Sequence, residues 1–383
     1  MLYTPTFFAM AVANLACLSS FSTFFLFPLF IKNHNGDPVD IGIIMGAFSL
    51  SSVLCRPYIS NMIDKIGRKK SYALGSLIMA LLPLTYLFFR GDIKADFIPL
   101  ILVRVTHGIG FAICITAAFT YMADLIPRDK LNQGLGMFGV SGLAGSAIGP
   151  VVAEVIVRRS GFDMLFVTAS AMACVGLVIQ FFLKETYVHV LRTSQSSFFV
   201  VLKKKRVLMV AVVALLFGFG LAAVNGFVAP FASERRIAFI SLYYLAYSGA
   251  AILTRIVGGG IADRMGEDKV IPYAMFLMAV GLYTAVFMNG SFLLFCSGFM
   301  TGCGHGLLYP ALNVRAIRGE PQDIRGKITG AYTGSIDAGV FVGSVILGYV
   351  AELAGSETLF LVSGTALVAG LLIYCRDLSG RAG

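Results

Sequence analysis

Long runs of apolar residues alternate with short polar connections along almost the whole chain. A helix needs about 20 mostly apolar residues to cross the hydrocarbon core of a bilayer, and each run is close to that length. The pattern therefore predicts an all-α chain with twelve membrane-spanning helices. The predicted spans are 5–31, 41–62, 71–89, 97–122, 132–157, 162–183, 207–231, 238–261, 270–288, 291–313, 327–352 and 358–376.

One connection is much longer than the others. Residues 184–206 lie midway along the chain and are rich in Lys and Arg. Because this stretch separates two sets of six predicted helices, it divides the chain. We expect an N-terminal six-helix bundle over 1–185, a cytoplasmic linker over 186–206 and a C-terminal six-helix bundle over 207–383.

The basic residues predict the orientation of the helices. With both chain ends placed in the cytoplasm, 20 of the 30 Lys and Arg residues fall on the cytoplasmic side, 7 fall on the other side and 3 lie inside spans. Cytoplasmic loops of membrane proteins carry an excess of Lys and Arg. We therefore expect both termini in the cytoplasm. The first apolar run is interpreted as a retained helix, because no basic region precedes it.

Composition excludes several classes of protein. Only 13% of the residues are charged, against about 25% in soluble domains. The net charge of +10 comes from short connections, so membrane topology accounts for it and no nucleic-acid partner is expected. The seven cysteines lie in apolar segments without metal-ligand spacing, and the four histidines are scattered. We predict no metal, no cofactor and no catalytic residues.

An internal repeat relates the two halves. Residues 56–69 and 255–269 share one order: an arginine, seven residues, an aspartate, a basic residue, any residue and a glycine. The two copies are offset by 199 residues. The Ala-Glu pairs at 153–154 and 351–352 repeat at an offset of 198. Repeats at a fixed offset indicate two copies of one structural unit.

These motifs resemble those of the Major Facilitator Superfamily of transporters. Residues 60–69 and 259–269 resemble its G-x-x-x-D-(R/K)-x-G-R-(R/K) signature, although Ser60 replaces a glycine and Glu267 replaces an arginine. Residues 104–110 resemble the R-x-x-x-G-x-G motif. Gly145 to Pro150 resemble the opening of the antiporter motif. The combination is most similar to the twelve-helix efflux permeases.

The resemblance implies two pseudo-symmetric six-helix bundles that rock about a central cavity. It also implies a charged gate at the cytoplasmic ends of the helices. The residues expected to form that gate are Asp64, Lys65, Arg68 and Asp124 in the first half and Asp263 and Arg264 in the second. Buried charges are tolerated only in pairs, so making and breaking such pairs could switch a gate. The alternative is that these charges only set the topology.

Six polar residues within the predicted spans are candidates for binding substrate or protons: Arg104, Asp337, Asn14, Asn225, His107 and His305. An arginine inside a span could bind an anionic group of a substrate, and a carboxyl group there could load and unload a proton. The asparagines could contact substrate from pore-lining helices. The structural alternatives are a snorkelling arginine, helix-to-helix hydrogen bonds for the asparagines and simple packing for the histidines.

Small residues in the fifth predicted span indicate close helix packing. Gly145 and Gly149 lie one turn apart and Pro150 follows them. Glycines allow two helix backbones to approach closely in a membrane. A proline interrupts helix hydrogen bonding, so Pro150 could bend the helix. We expect this segment to act in packing and as a hinge.

The leading functional hypothesis is a secondary transporter in the inner membrane that exports a small organic solute in exchange for protons. The first alternative is proton-coupled uptake of an anionic metabolite, which Arg104 would favour. The alternative of another class is a non-transporting membrane sensor or scaffold. We expect a small-molecule substrate, protons and the lipid bilayer as partners, and a monomeric chain.

Overall fold

The computed structural model describes residues 3–127, 130–186 and 202–382. Within these ranges, the side chains of residues 132, 258–264, 322–323 and 381–382 are not described. The described residues form helices joined by short turns and contain no strand, so the predicted all-α chain is confirmed. The helices are α1 Pro5–Thr23, α2 Phe27–Asn33, α3 Pro38–Ile66, α4 Arg68–Thr85, α5 Phe97–Leu125, α6 Leu131–Phe182, α7 Lys205–Gly226, α8 Val228–Glu234, α9 Ser241–Met265, α10 Glu267–Val286, α11 Ser291–Ile317, α12 Gln322–Ala354 and α13 Ser356–Ala382.

All twelve predicted spans fall on these helices. Among the described residues, ten helical segments are long and apolar enough to cross a membrane. One of them, within α6, is long enough for two crossings and contains the fifth and sixth predicted spans. The eighth predicted span lies on α9, part of which has no described side chains. Most helices extend beyond a predicted end, because polar turns can continue a helix outside the hydrocarbon core, whereas α4 and α10 end two to four residues before theirs.

Single glycines with positive φ lie at several turns between helices. Gly67 has φ 96° and separates α3 from α4. Gly161 has φ 78° and divides α6 into two helical parts. Residues with a Cβ rarely adopt such angles, so glycine can reverse the chain here within one residue. Gly266 and Gly355 make the corresponding turns in the second half, with φ of 79° and 86°.

The contacts between residues divide the chain into two compact units. The first unit comprises Met1–Asp37 and Ala47–His189. The second unit comprises Pro38–Gly46 and Val190–Gly383. The predicted linker 186–206 lies largely outside the described residues. The predicted boundaries of the two bundles at 185 and 207 stay predictions.

Glycine contacts hold the central helix pair of each unit together. In the first unit α1 packs on α6, and a Cβ at Gly145 would lie 2.4 Å from the Leu15 carbonyl oxygen. In the second unit α7 packs on α12, and a Cβ at Gly339 would lie 2.0 Å from the Leu215 carbonyl oxygen. No real Cβ approaches an oxygen so closely, so a larger residue would force these helices apart. A closely packed helix pair of this kind is thus present in each unit.

Candidate functional site

An ion-pair cluster closes the end of the first unit at the turn between α3 and α4. Arg68 is the first residue of α4 and its side chain is 8% exposed. Its Nε lies 2.9 Å from Asp124 Oδ2 at the end of α5, and its Nη1 lies 3.2 Å from Asp64 Oδ1 on α3. One guanidinium thus connects three helices. The structure therefore brings together three of the predicted gate residues, and we call Asp64, Arg68 and Asp124 the first-unit latch.

A carboxylate that follows α6 fixes the same turn. The two Glu185 side-chain oxygens accept hydrogen bonds from the backbone N–H groups of Arg68 and Lys69, at 3.0 and 3.1 Å. These N–H groups begin α4 and have no partner within the helix. A Cβ at Gly67 would lie 2.5 Å from Glu185 Oε2, so the turn accommodates the carboxylate only because residue 67 is glycine. Sequence reasoning missed Glu185, since it lies more than 110 residues along the chain from its partners.

Lys65 lies beside the latch rather than in it. The Lys65 side chain is exposed, and among the described side chains it forms no ion pair. It lines a cleft of about 490 Å³ together with Lys69, Lys70, Gln180 and Glu185. This end of the first unit therefore presents basic side chains outward, while Arg68 is turned inward to the acids.

The corresponding end of the second unit carries ion pairs of the opposite arrangement. Acids begin α10, at the place where Arg68 begins α4, and bases end α11. Arg315 Nε lies 2.9 Å from Asp268 Oδ1, and Arg318 Nη2 lies 2.5 Å from Glu267 Oε1. The Tyr374 hydroxyl also donates to Asp268 Oδ1, at 2.8 Å. We call the four charged residues the second-unit latch. The predicted Asp263 and Arg264 lie outside the described side chains.

Arg104 and His107 lie together in the interior of the first unit. Both are buried, with 2% and 0% of their surface exposed. The Arg104 guanidinium carbon lies 5.5 Å from the centre of the Phe24 ring and 4.8 Å from that of Phe48. Such cation–aromatic contacts are worth roughly 0.5–2 kcal/mol. They offset part of the cost of a charge within a span, and they enclose the guanidinium.

A tyrosine holds His107 in this cluster. The Tyr86 hydroxyl lies 3.3 Å from His107 Nδ1, while the rings of Phe24 and Phe48 contact the imidazole edge-on. The other ring nitrogen, Nε2, is buried and forms no hydrogen bond with the described residues. Tyr86 was not predicted, because its contact with His107 on α5 forms only when the two segments pack together.

Asn14 and the glycines lie where α1 meets α6. The Asn14 amide nitrogen donates to the Phe138 carbonyl oxygen at 3.2 Å and to Ser141 Oγ at 3.0 Å. A Cβ at Gly149 would lie 2.0 Å from Ser22 Oγ, so Gly149 and Gly145 allow close approach at the same contact. Pro150 lies within α6 directly after Gly149. The amide nitrogen of Asn14 thus supports helix-to-helix packing.

His305 lies in a polar and aromatic cluster of the second unit. The Tyr247 hydroxyl contacts His305 Nδ1. The Phe217 ring lies 5.3 Å from the imidazole, and the Tyr309 ring lies 5.9 Å from it. Arg255 lies beside them, with its guanidinium carbon 5.4 Å from the centre of the Tyr309 ring.

His107 and His305 occupy matching places in the two units. They are 198 residues apart, the same offset as the Ala-Glu repeat, and each is bonded through Nδ1 to a tyrosine. This offset is the signal that could have identified the two histidines as a repeated feature. The remaining predicted residues, Asp337 on α12 and Asn225 near the end of α7, are half-buried in the second unit.

Comparisons with known proteins concern the family and the fold. A model of the Major Facilitator Superfamily matches residues 9–267 and 236–379. The quinolone resistance protein NorA of Staphylococcus aureus is 23% identical over 378 residues, which cover 93% of this chain and 92% of NorA. The multidrug resistance protein MdtG of Salmonella arizonae is 23% identical over 372 residues, covering 92% of this chain and 88% of MdtG.

A solved transporter has the same fold. The crystal structure of a mutant of the nucleoside transporter NupG matches with a TM-score of 0.79 and 15% identity, covering 97% of this chain and 99% of NupG. At that identity the likeness shows the fold alone. The predicted fold class, an all-α membrane protein with two six-helix bundles, is confirmed. The relatives are transporters, which also confirms the prediction that this chain is not an enzyme.

Proposed function

The chain belongs to the Major Facilitator Superfamily, and from this premise we propose that it exports small organic compounds, drugs among them, in exchange for protons. It is a multi-pass membrane transporter of a small-molecule substrate. The observation that carries the direction of transport is the match over more than nine-tenths of the chain to proteins named for quinolone and multidrug resistance. The proposed location is the inner membrane, with both termini in the cytoplasm and a monomeric chain.

The geometry of the first-unit latch supports alternating access. Arg68 is buried and bridges Asp64 and Asp124, whose side chains are 31% and 33% exposed. Ion pairs with partly exposed partners can separate at a modest cost, because water reaches the carboxylates. A latch of this kind can therefore open and close with the cytoplasmic face of the transporter. Asp263 and Arg264 keep the same proposed role in the second half, with Lys65 at the rim.

The proposed binding residues are distributed over both units. Asn14 has a buried Oδ1 that forms no hydrogen bond with the described residues, and a hydrogen-bond donor of the substrate would satisfy it. Asn225 is the proposed polar contact in the second unit. His107 and His305 are proposed as proton-handling residues, since each imidazole is held by a tyrosine. The glycine contacts of α6, with Pro150, are proposed as a hinge.

Proton movement in proteoliposomes tests the proposal. The lumen holds a pH-sensitive dye, and a quinolone or another compound of a mixed panel is added outside. Exchange sends protons outward as the compound enters, so the lumen becomes alkaline. Acidification would instead support uptake with protons, the reaction that Arg104 would favour for an anionic metabolite. If folded protein produces no pH change and accumulates no compound, the result contradicts transport and favours a sensor.

Asp337 is the proposed proton carrier of this exchange. A carboxyl group inside a span is retained for pairing or for function, because burying its charge costs several kcal/mol. We expect Asp337→Asn to reduce the substrate-induced pH change at least about tenfold, while the variant still binds substrate. The matched control is Glu352→Gln on the same helix, where the side chain is exposed. An unchanged pH response in Asp337→Asn would remove this role.

A further inference from the structure

The second unit contains a cationic and aromatic cluster of which the proposed mechanism uses only His305. Arg255 on α9 lies with Tyr247 of the same helix, with His305 and Tyr309 on α11 and with Tyr332 on α12. We call these five residues the Arg255 cluster. The hydroxyl groups of all three tyrosines lie within electrostatic range of the guanidinium. Three helices thus direct polar groups to one cation.

Arg255 differs from Arg68 and Arg315, the buried arginines of the two latches. Arg68 and Arg315 each pair with a carboxylate within 3 Å. Among the described side chains, no carboxylate pairs with Arg255, and its buried Nε forms no hydrogen bond. A guanidinium inside a span without an anion is costly, since desolvation is not repaid by a partner. An anion that enters from outside the protein would supply the missing partner.

The neighbouring tyrosines are already held in place. The Tyr332 hydroxyl donates to the Tyr309 carbonyl oxygen at 2.8 Å, and the Tyr247 hydroxyl is bonded to His305. The Tyr309 and Tyr332 rings lie 5.5 Å apart, edge to face. These hydrogen bonds hold the side chains of Tyr247 and Tyr332 before any ligand arrives, and the Tyr309 ring packs against Tyr332. A fixed ring next to a cation suits a flat ligand, because little side-chain entropy is lost on binding.

Exposure separates this cluster from the cluster of Arg104 and His107 in the first unit. Arg255, His305 and Tyr309 are half-buried, so a ligand can reach this face of the second unit. Arg104 and His107 are buried at 2% and 0% exposure beneath phenylalanine rings. The first-unit cluster is therefore enclosed by protein, and the second-unit cluster is open on one side.

We propose that the Arg255 cluster binds the anionic group of an aromatic organic acid. The guanidinium forms a bidentate contact with a carboxylate or sulfonate, and the aromatic body of the ligand stacks on Tyr309. This inference rests on the proposed transport function and gives its substrate class: compounds that carry an acidic group, with Arg255 rather than Arg104 as the group that recognises it.

A pair of dyes with the same ring system and opposite charge tests the proposal. Fluorescein carries a carboxylate and rhodamine 123 carries a cationic xanthene with an esterified carboxyl group. Binding to the purified full chain in lipid nanodiscs is followed by fluorescence anisotropy without a proton gradient. We expect Arg255→Gln to weaken fluorescein binding about tenfold to hundredfold, as for the loss of a charged hydrogen bond, and to leave rhodamine 123 binding unchanged.

Two controls test whether the effect is specific to Arg255 and to the charge of the ligand. Arg376→Gln removes an exposed arginine from α13 of the same unit and should leave both affinities unchanged. Competition on the unaltered protein needs no variant: benzenesulfonate should displace fluorescein, whereas the neutral benzenesulfonamide should not. If Arg255→Gln does not fold, Arg255→Lys keeps the charge without the planar fork and should still weaken fluorescein binding severalfold.

Three results would overturn the proposal. The first is the absence of fluorescein binding, or competition by sulfonate and sulfonamide alike. The second is an equal loss of both dyes in Arg255→Gln. The third is a loss of fluorescein binding in Arg104→Gln while Arg255→Gln binds normally. Binding is measured without transport, so these results can be interpreted even if proton-coupled export is not observed.

Discussion

The two latches occupy the same place in their units and use opposite charges. In the first unit a base begins α4 and pairs with an acid at the end of α5, whereas in the second unit acids begin α10 and pair with bases at the end of α11. Arg68 and Glu267 are 199 residues apart, the offset of the repeated motif. The repeat has thus kept the ion pairing between helices while exchanging the residues that provide it. The Arg-to-Glu departure from the family motif is a compensated change.

Reversing the charge of Arg68 should cause the largest loss of transport among the latch variants. Arg68→Glu would place a carboxylate beside those of Asp64, Asp124 and Glu185, so the latch would repel itself. We expect transport to fall more than about tenfold. The double variant Arg68→Glu/Asp124→Arg restores one pair in the second-unit arrangement and should recover part of the activity. Equal activity of the single variant and the unaltered protein in proteoliposomes would refute the latch.

The two arginines of the second-unit latch should differ in how much their loss reduces transport. The Arg315 side chain is 11% exposed and that of Arg318 is 60% exposed. Burial strengthens an ion pair and raises the cost of leaving its partner alone, whereas exposed pairs contribute about 0–1 kcal/mol. We expect Arg315→Gln to reduce transport several times more than Arg318→Gln. Thermal unfolding should rank the two variants in the same order. A larger effect of Arg318→Gln would show that exposure does not determine the strength of these ion pairs.

The smallest effect should come from the Glu185 contact, which has no described counterpart at the start of α10. Its carboxylate is exposed and interacts with the first N–H groups of α4. An acid at a helix N-terminus contributes about 0.3–1 kcal/mol. Glu185→Gln should therefore lower the unfolding temperature by only a few degrees, and less in high salt. Exposed Glu352→Gln is the matched control, and a salt-independent loss would point to packing rather than charge.

Much of the fold could be predicted from the sequence because each span carries its own signal. Twenty apolar residues specify a membrane helix without help from the rest of the chain, and the repeated motif placed Asp64 and Arg68 at a helix end. The contacts that were missed all join distant parts of the chain. Glu185, Tyr86 and Arg315 acquire their partners only when helices pack, and hydrophobic periodicity carries no record of such pairs.

The candidate site was predictable to a lesser extent for the same reason. Arg104 and Arg255 are both single charges within apolar runs, and the sequence pattern favoured Arg104 because it lies well inside its predicted span. Their surroundings differ through the rings that other helices supply: phenylalanines cover Arg104, and tyrosines flank Arg255. Whether a charge is enclosed or reachable depends on these tertiary neighbours.

The one-residue turns at Gly161 and Gly355 have a practical consequence for work on the intact membrane. Each joins two predicted spans through a single residue, so no loop separates the last two helices of each half. A protease or an antibody has no loop to bind at these turns. A tag inserted there would separate two packed helices rather than lengthen a loop. Topology reporters belong instead in the longer connections, such as the one between Phe88 and Phe97.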